Sequence, residues 1–234
     1  LYVLAFFFSS SQTAYWMPAE RFVPERFSRA VLPALILGFL APSALMITPL
    51  VYPGAREYIQ HTIAFWQVTP VLTSWLAEAI ARCLPASAAG NKRRPVEDYA
   101  GMDIPNLNRL YGVVFFVAAS THAAVMLAVV WVVRLSVAGI FLPHPTLGPV
   151  ASILEGVSIF IKYDLLLTVA ATIVWCVINM MEMKRVGLIE GSTWKRVGWL
   201  VAGCAAVGPG ATLVGLWKWR ERRTARPALR AGRG

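Results

Sequence analysis

Apolar runs of about twenty residues recur along this chain, and the segments between them hold nearly all of its charge. A helix needs roughly 20 apolar residues to cross the hydrocarbon core of a bilayer. Five runs predict spans, over about 31–52, 57–82, 110–133, 160–183 and 197–217, and residues 1–16 read as a sixth, truncated span. Pro33, Pro42 and Pro49 interrupt the first run and Pro70 the second. Each removes a backbone hydrogen bond and bends its helix. In lipid the freed carbonyls must find partners within the protein or a cavity. Residues 135–154 are uncharged but crowded by Pro143, Pro145 and Pro149. They read as a loop or short re-entrant piece, with LEGVSIFIK lying at the interface. The mixed-charge stretch 90–109 reads as a cytosolic loop. The expected fold is therefore all-α, a multi-pass transmembrane bundle of proline-kinked helices over residues 1–217. A basic disordered tail, 218–234, follows it.

Composition strengthens that reading. Of 234 residues, 57% are hydrophobic and 15% charged, against nearer half and a quarter for a soluble domain. The net charge of +10 sits between the runs and in the tail, where lipid-facing charges belong. Aromatics are not interleaved with the basic residues as on a base-stacking surface, so no nucleic-acid partner is expected. One set of connecting segments carries 12 Lys and Arg and the other 3, with 7 more in the tail. The positive-inside rule makes the richer set cytosolic. The tail then lies on the opposite side, unless the fifth run turns back at AVGPGATL. Cys83, Cys176 and Cys204 are odd in number and lack a CxxC, so they read as buried hydrophobes rather than a disulfide or zinc framework. The start at Leu1, with no basic residues before the first apolar run, reads as the end of a helix in a piece of a longer protein.

Polar residues inside apolar runs are costly and mark candidate sites. In the fourth run Asp164, Thr168, Thr172, Trp175, Asn179 and Glu182 follow steps of four, four, three, four and three. They share one helical stripe, which must face protein or a cavity. Thr168 and Thr172 read as helix–helix glue, Glu182 as a headgroup marker or a ligand contact. Asp164 reads either as a site acid or as a group paired with Lys162. Asp164 and Asn179 lie about 22 Å apart along the axis, too far to serve one reacting centre. In REYIQH, Glu57 and His61 are one turn apart, near Arg56, and enter from the same leaflet as Asp164. Glu78 and Arg82 have the spacing of a helix salt bridge. His122 is central in its span and reads as glue or as a site residue. Trp66, Trp75 and Trp175 are deep enough to line a pocket. Trp16, Trp194, Trp199, Trp217 and Trp219 read as interface anchors.

No GxSxG, HExxH, P-loop, dinucleotide glycine pattern or DDxxD is present. Hydrolysis by those motifs, ATP-driven transport and diphosphate ionisation are therefore unsupported, and neither a cofactor nor a metal is expected. The segments REYIQHTIAFWQVTPVL and KYDLLLTVAATIVW, with a polar loop between them, resemble the small integral-membrane terpene cyclases of fungal meroterpenoid pathways, the ascofuranone- and macrophorin-pathway type. The resemblance covers about residues 30 to 185. It implies a multi-pass protein of the endoplasmic reticulum that cyclises a lipophilic prenylated substrate after protonating an epoxide or alkene.

On the chain's own residues, Asp164 or Glu57 is the candidate acid, with His61 resupplying the proton. An initiating acid must keep its proton near neutral pH, which burial favours. Trp66 and Trp175 are the candidate shelters for a carbocation. Asn179, Glu182 and His122 complete the candidate substrate contacts. Two other classes fit the same pattern. One is a non-enzymatic carrier or receptor for a lipophilic molecule, which predicts inverted-repeat symmetry. The other is a membrane scaffold, which needs no intramembrane acid.

Overall fold

The computed structural model describes residues 23–85, 103–133, 152–185 and 187–231, with scattered positions between 136 and 143. The truncated span 1–16, Trp16, most of the 90–109 loop and most of 135–154 lie outside the described residues. Every regular element among the described residues is helical. Contacts divide the chain into two compact units, one holding residues 23–110 and the other 111–224.

The first unit begins with α1 (Glu25–Leu35), a π-helical turn (Ile36–Leu40) and α2 (Ala41–Val51). The widened turn falls just before Pro42, whose missing N–H cannot bond the carbonyl of Gly38. The kink expected from the prolines takes this form. A short 3-10 turn (Pro53–Tyr58), α3 (Ile59–Gln67) and α4 (Thr69–Cys83) follow. The run 57–82 is thus two helices. They break at Val68, one residue before the Thr69–Pro70 bond restricts the backbone. α1 and the π turn pack along α4. At Gly38 the approach is close enough that a Cβ would fall 2.8 Å from the Thr73 Cα. The start of α5 (Ile104–Leu127) joins this unit through Asn106 Nδ2, which donates to Ser28 Oγ at 3.1 Å. The buried carboxylate of Asp103 accepts from the Val23 N–H at 3.4 Å.

The second unit holds the rest of α5, a π-helical extension (Ala128–Val133), α6 (Ile153–Arg185), α7 (Thr193–Val207) and, through Thr224, α8 (Pro209–Ala231). The run 197–217 is interrupted at Gly208, whose φ of 89° and ψ of 155° are open essentially only to glycine. His122 of α5 packs on that glycine: a Cβ there would lie 2.8 Å from the imidazole Cγ. α8 continues through Ala231, so the segment read as disordered from 218 is helical to that residue. Its Arg and Glu residues are good helix formers, and Arg220 lies 4.6 Å above the ring of Trp217, three residues earlier on the same helix.

Among the described residues, three helical stretches are long and apolar enough to cross a membrane: Glu25–Pro49, Ile104–Trp131 and Glu155–Arg185. They correspond to three of the five predicted runs. The other two, 57–82 and 197–217, are each divided between two helices.

Candidate functional site

The central helix of the second unit is α6. Its lower half is core. Trp175, Cys176 and Met180 are buried with Leu200 of α7, and Leu213, Leu216 and Trp217 of α8 pack against them. Trp175 stacks on Trp217 with ring centroids 4.5 Å apart and planes within 17°. The Arg220 guanidinium also lies over the Trp217 ring, so Trp217 contacts both an aromatic ring and a cation. Asn179, buried one turn below Trp175, returns its Nδ2 hydrogen to the Trp175 carbonyl at 3.0 Å. Glu182 pairs with Arg185 at 3.2 Å near the helix end.

The upper half of α6 is different. Asp164 and Thr168 are exposed, and the Thr172 hydroxyl donates to the Thr168 carbonyl at 2.8 Å, within its own helix. The stripe read from the spacing is therefore covered in its lower half and open in its upper half. The hydroxyl of Thr172 is spent locally instead of bridging helices. Lys162, the expected partner of Asp164, donates to the Gly139 carbonyl at 2.7 Å.

Glu57 and His61 belong to the first unit and are exposed, one turn apart across the junction of the 3-10 turn and α3. His61 faces Tyr58 at 6.5 Å between ring centroids. Trp66 is half-buried: its indole N–H donates to Ser43 Oγ at 2.9 Å, and its ring meets Phe39 at 6.1 Å. Trp75 is exposed. Glu78 and Arg82 form the ion pair that their spacing predicts, at 3.0 Å. Asp164 and the Glu57–His61 pair thus fall in different compact units, while Trp175, Asn179, Glu182 and His122 fall with Asp164.

A cavity of about 300 Å³ opens beside the buried half of α6. Met180, Leu200 and Leu216 supply its aliphatic walls, Trp199 and Trp219 its aromatic ones, and Arg196 and Thr212 its polar atoms. None of the site residues inferred from the stripe lines it. Trp199 and Trp219, read as interface anchors, form its walls, and Trp217 is part of the ring stack. In the sequence Arg196 reads only as a cytosolic charge. The missed signal is the spacing of Arg196, Trp199 and Leu200, at i, i+3 and i+4, which sets a cation and an indole on one helical face.

The model of the CtvD domain family matches residues 1–224. FAD-dependent monooxygenase verC1 of Penicillium polonicum is 26% identical over 223 residues, covering 94% of this chain and 26% of that protein. Terpene cyclase resF of Aspergillus sclerotiorum is 28% identical over 206 residues, covering 86% of this chain and 53% of that protein. The chain therefore spans about half of one relative and a quarter of the other. No solved structure matches.

Proposed function

The chain belongs to the CtvD domain family, and we propose that it is a membrane-bound terpene cyclase acting on a lipophilic prenylated substrate. Similarity to a terpene cyclase over most of the chain supports the reaction class. The single observation that carries the mechanism is the setting of Asp164. It is a carboxyl group in the apolar stretch Glu155–Arg185, with Lys162 engaged at the Gly139 carbonyl. An acid retained in such a helix needs a task, because a charge there costs several kcal/mol.

The proposed reaction begins when the protonated Asp164 carboxyl gives its proton to an epoxide oxygen. The carbon–oxygen bond breaks and positive charge develops on carbon. A chain alkene or hydroxyl attacks that carbon, and loss of a proton ends the reaction. Substrate and product are isomers. The epoxide is favoured over a bare alkene by the name of verC1, an FAD-dependent monooxygenase. Flavin chemistry can place one oxygen on an alkene, and such a product is what an acid of this kind opens. Glu57, with His61 one turn away to return the proton, is the second candidate acid. Trp66 is the candidate ring beside a cation generated by Glu57, in the same unit, whereas Trp175, buried and stacked on Trp217, belongs to the core. The endoplasmic reticulum is the expected location.

The test uses microsomes expressing the chain, supplied with a farnesylated phenol and its terminal epoxide. Wild type should form an isomer of the epoxide with unchanged mass. Asp164→Asn should reduce that rate by about 100-fold or more at equal protein level, the scale of a lost general acid. No isomer from wild type would count against a cyclase. An isomer that survives Asp164→Asn and disappears in Glu57→Gln would move the acid to the first unit.

A further inference from the structure

α7 and α8 form a hairpin that turns back inside the second unit. Near its closed end a Cβ on Gly203 would fall 3.1 Å from the Thr212 side chain. At its open end Arg196 and Trp219 line one cavity. The two helices are thus antiparallel across Gly208. α8 also runs antiparallel to α5, because a Cβ on Gly112 would fall 3.3 Å from Lys218 Nζ while Gly208 meets His122. The hairpin tip therefore stops nine residues short of Trp131, where the apolar stretch of α5 ends, or roughly 13 Å at 1.5 Å per residue. The open end brings together the end of α6, the start of α7 and residues 218–223 of α8. Over 182–196 and 218–223 the chain carries eight Lys and Arg against three Glu. By the positive-inside rule such an end belongs at the cytosolic leaflet, so residue 218 onwards emerges beside the segment 184–196.

The cavity follows this hairpin. Its lining runs from Arg196 at the basic end to Thr212 opposite Gly203, a length of about 10 Å along α7. The two ends differ in chemistry. At the basic end Arg196 Nη2 donates to the Glu190 carbonyl, but Arg196 Nη1 is buried and has no hydrogen-bond partner among the described residues. A charged donor buried without an acceptor is costly. Deeper in, Met180, Leu200 and Leu216 offer aliphatic surface, and the Thr212 hydroxyl donates to the Gly208 carbonyl at 2.8 Å. Trp199 and Trp219 flank the basic end, and indoles favour headgroup depth. We propose that this cavity holds an anionic phospholipid, its phosphate accepting from Arg196 Nη1 and part of one acyl chain lying along Leu200 and Leu216. The aliphatic wall favours a lipid over a free phosphate, which would leave that wall unfilled. The surplus of basic residues favours a lipid with net negative charge over a zwitterionic one. The volume, about 300 Å³, takes a phosphate and a few methylenes, and the rest of the lipid stays in the bilayer.

The test is displacement of radiolabelled phosphatidylserine from the purified full chain in detergent, at about 0.5 M salt so that diffuse attraction is screened. Unlabelled phosphatidylserine should compete about 10-fold better than phosphatidylcholine, and inorganic phosphate should not compete. Arg196→Gln should weaken phosphatidylserine binding by about 10-fold or more, the scale of a hydrogen bond to a charged group, and Arg196→Lys should recover part of that loss. Lys195→Gln removes the same charge from an exposed neighbour and should change affinity by less than about twofold. Equal competition by the two lipids with wild type overturns the proposal whether or not the variants fold. Equal losses in Lys195→Gln and a folded Arg196→Gln overturn it too, because they mean a diffuse basic surface instead of a built site. Displacement by inorganic phosphate would make the cavity a small-anion site and remove the lipid. The assay contains no cyclisation substrate, so its outcome is independent of whether the chain is a cyclase.

Discussion

The two halves of α6 share one polar stripe and have opposite surroundings. From Trp175 to Met183 the helix is built into a core, with Trp175, Cys176, Asn179, Met180 and Met183 all buried. From Phe160 to Leu167 every residue except Lys162 is exposed. Spacing along a helix says which residues share a face, but not what that face meets. The lower half meets α7 and α8, which present the indole of Trp217 and the apolar side chains of Val197, Leu200, Leu213 and Leu216. The upper half lacks such cover among the described residues. The lower half accordingly has the features of a structural element, whereas the upper half has an ionisable group that packing does not explain. The acid of the proposed reaction therefore lies in the upper half, while the lower half supplies core and one wall of the cavity.

The sharpest contrast should come from truncating one apolar side chain in each half. Trp175→Ala removes a ring that is 7% exposed and stacked on Trp217. It should destabilise the protein by about 3 kcal/mol or more, the usual cost of deleting a buried aromatic. Leu167→Ala, at a position 65% exposed, should cost under about 0.5 kcal/mol. Unfolding in detergent, followed by tryptophan emission and circular dichroism, measures both. Comparable losses at the two positions would mean that the upper half is packed as well, and the contrast would collapse.

The break between α7 and α8 gives a second, smaller test, because it aims α8 at the lower half. Gly208→Ala imposes a side chain on a glycine-only conformation and drives a methyl into His122. The backbone strain alone should cost about 1–3 kcal/mol. His122→Ala should remove the collision but not the strain, so the double variant should recover only part of the loss. Full recovery would mean that the imidazole contact, and not the backbone, dictates glycine here. A recovery of nothing would mean that His122 moves freely aside.

Helical character was legible because the apolar runs are long and their polar positions repeat at helical spacing. The Glu78–Arg82 pair was legible for the same reason, since both partners lie on one helix. Continuity was harder. Pro42 and Pro70 look alike in sequence, yet a π turn absorbs the first while the chain breaks into two helices before the second. The outcome depends on what packs opposite, as at Gly38 against Thr73. The cavity was illegible from the stripe because its walls come from three helices, and Arg196 reads as one more charge in a basic loop until Trp219 and Thr212 are brought beside it. Trp217 gives the same lesson. A tryptophan next to Lys218 has the look of an interface anchor, and only the approach of Trp175 turns it into core.

The smallest predicted effect is also the one that separates glue from chemistry within the stripe. Glu182 bonds Arg185 at 3.2 Å, but the arginine side chain is 66% exposed, and such a pair contributes no more than about 0.5 kcal/mol. Glu182→Gln should leave the unfolding midpoint nearly unchanged. Asp164→Asn should not lower it either, for a different reason: its carboxyl is exposed on an apolar helix, and its sequence neighbour Lys162 is held elsewhere. The two variants should part company only in the cyclisation assay, where Glu182→Gln retains activity and Asp164→Asn loses it. A stability loss above about 1 kcal/mol at Asp164, well beyond the usual range for surface positions, would assign that carboxylate to structure. The asymmetry between the halves of α6 would then need another explanation.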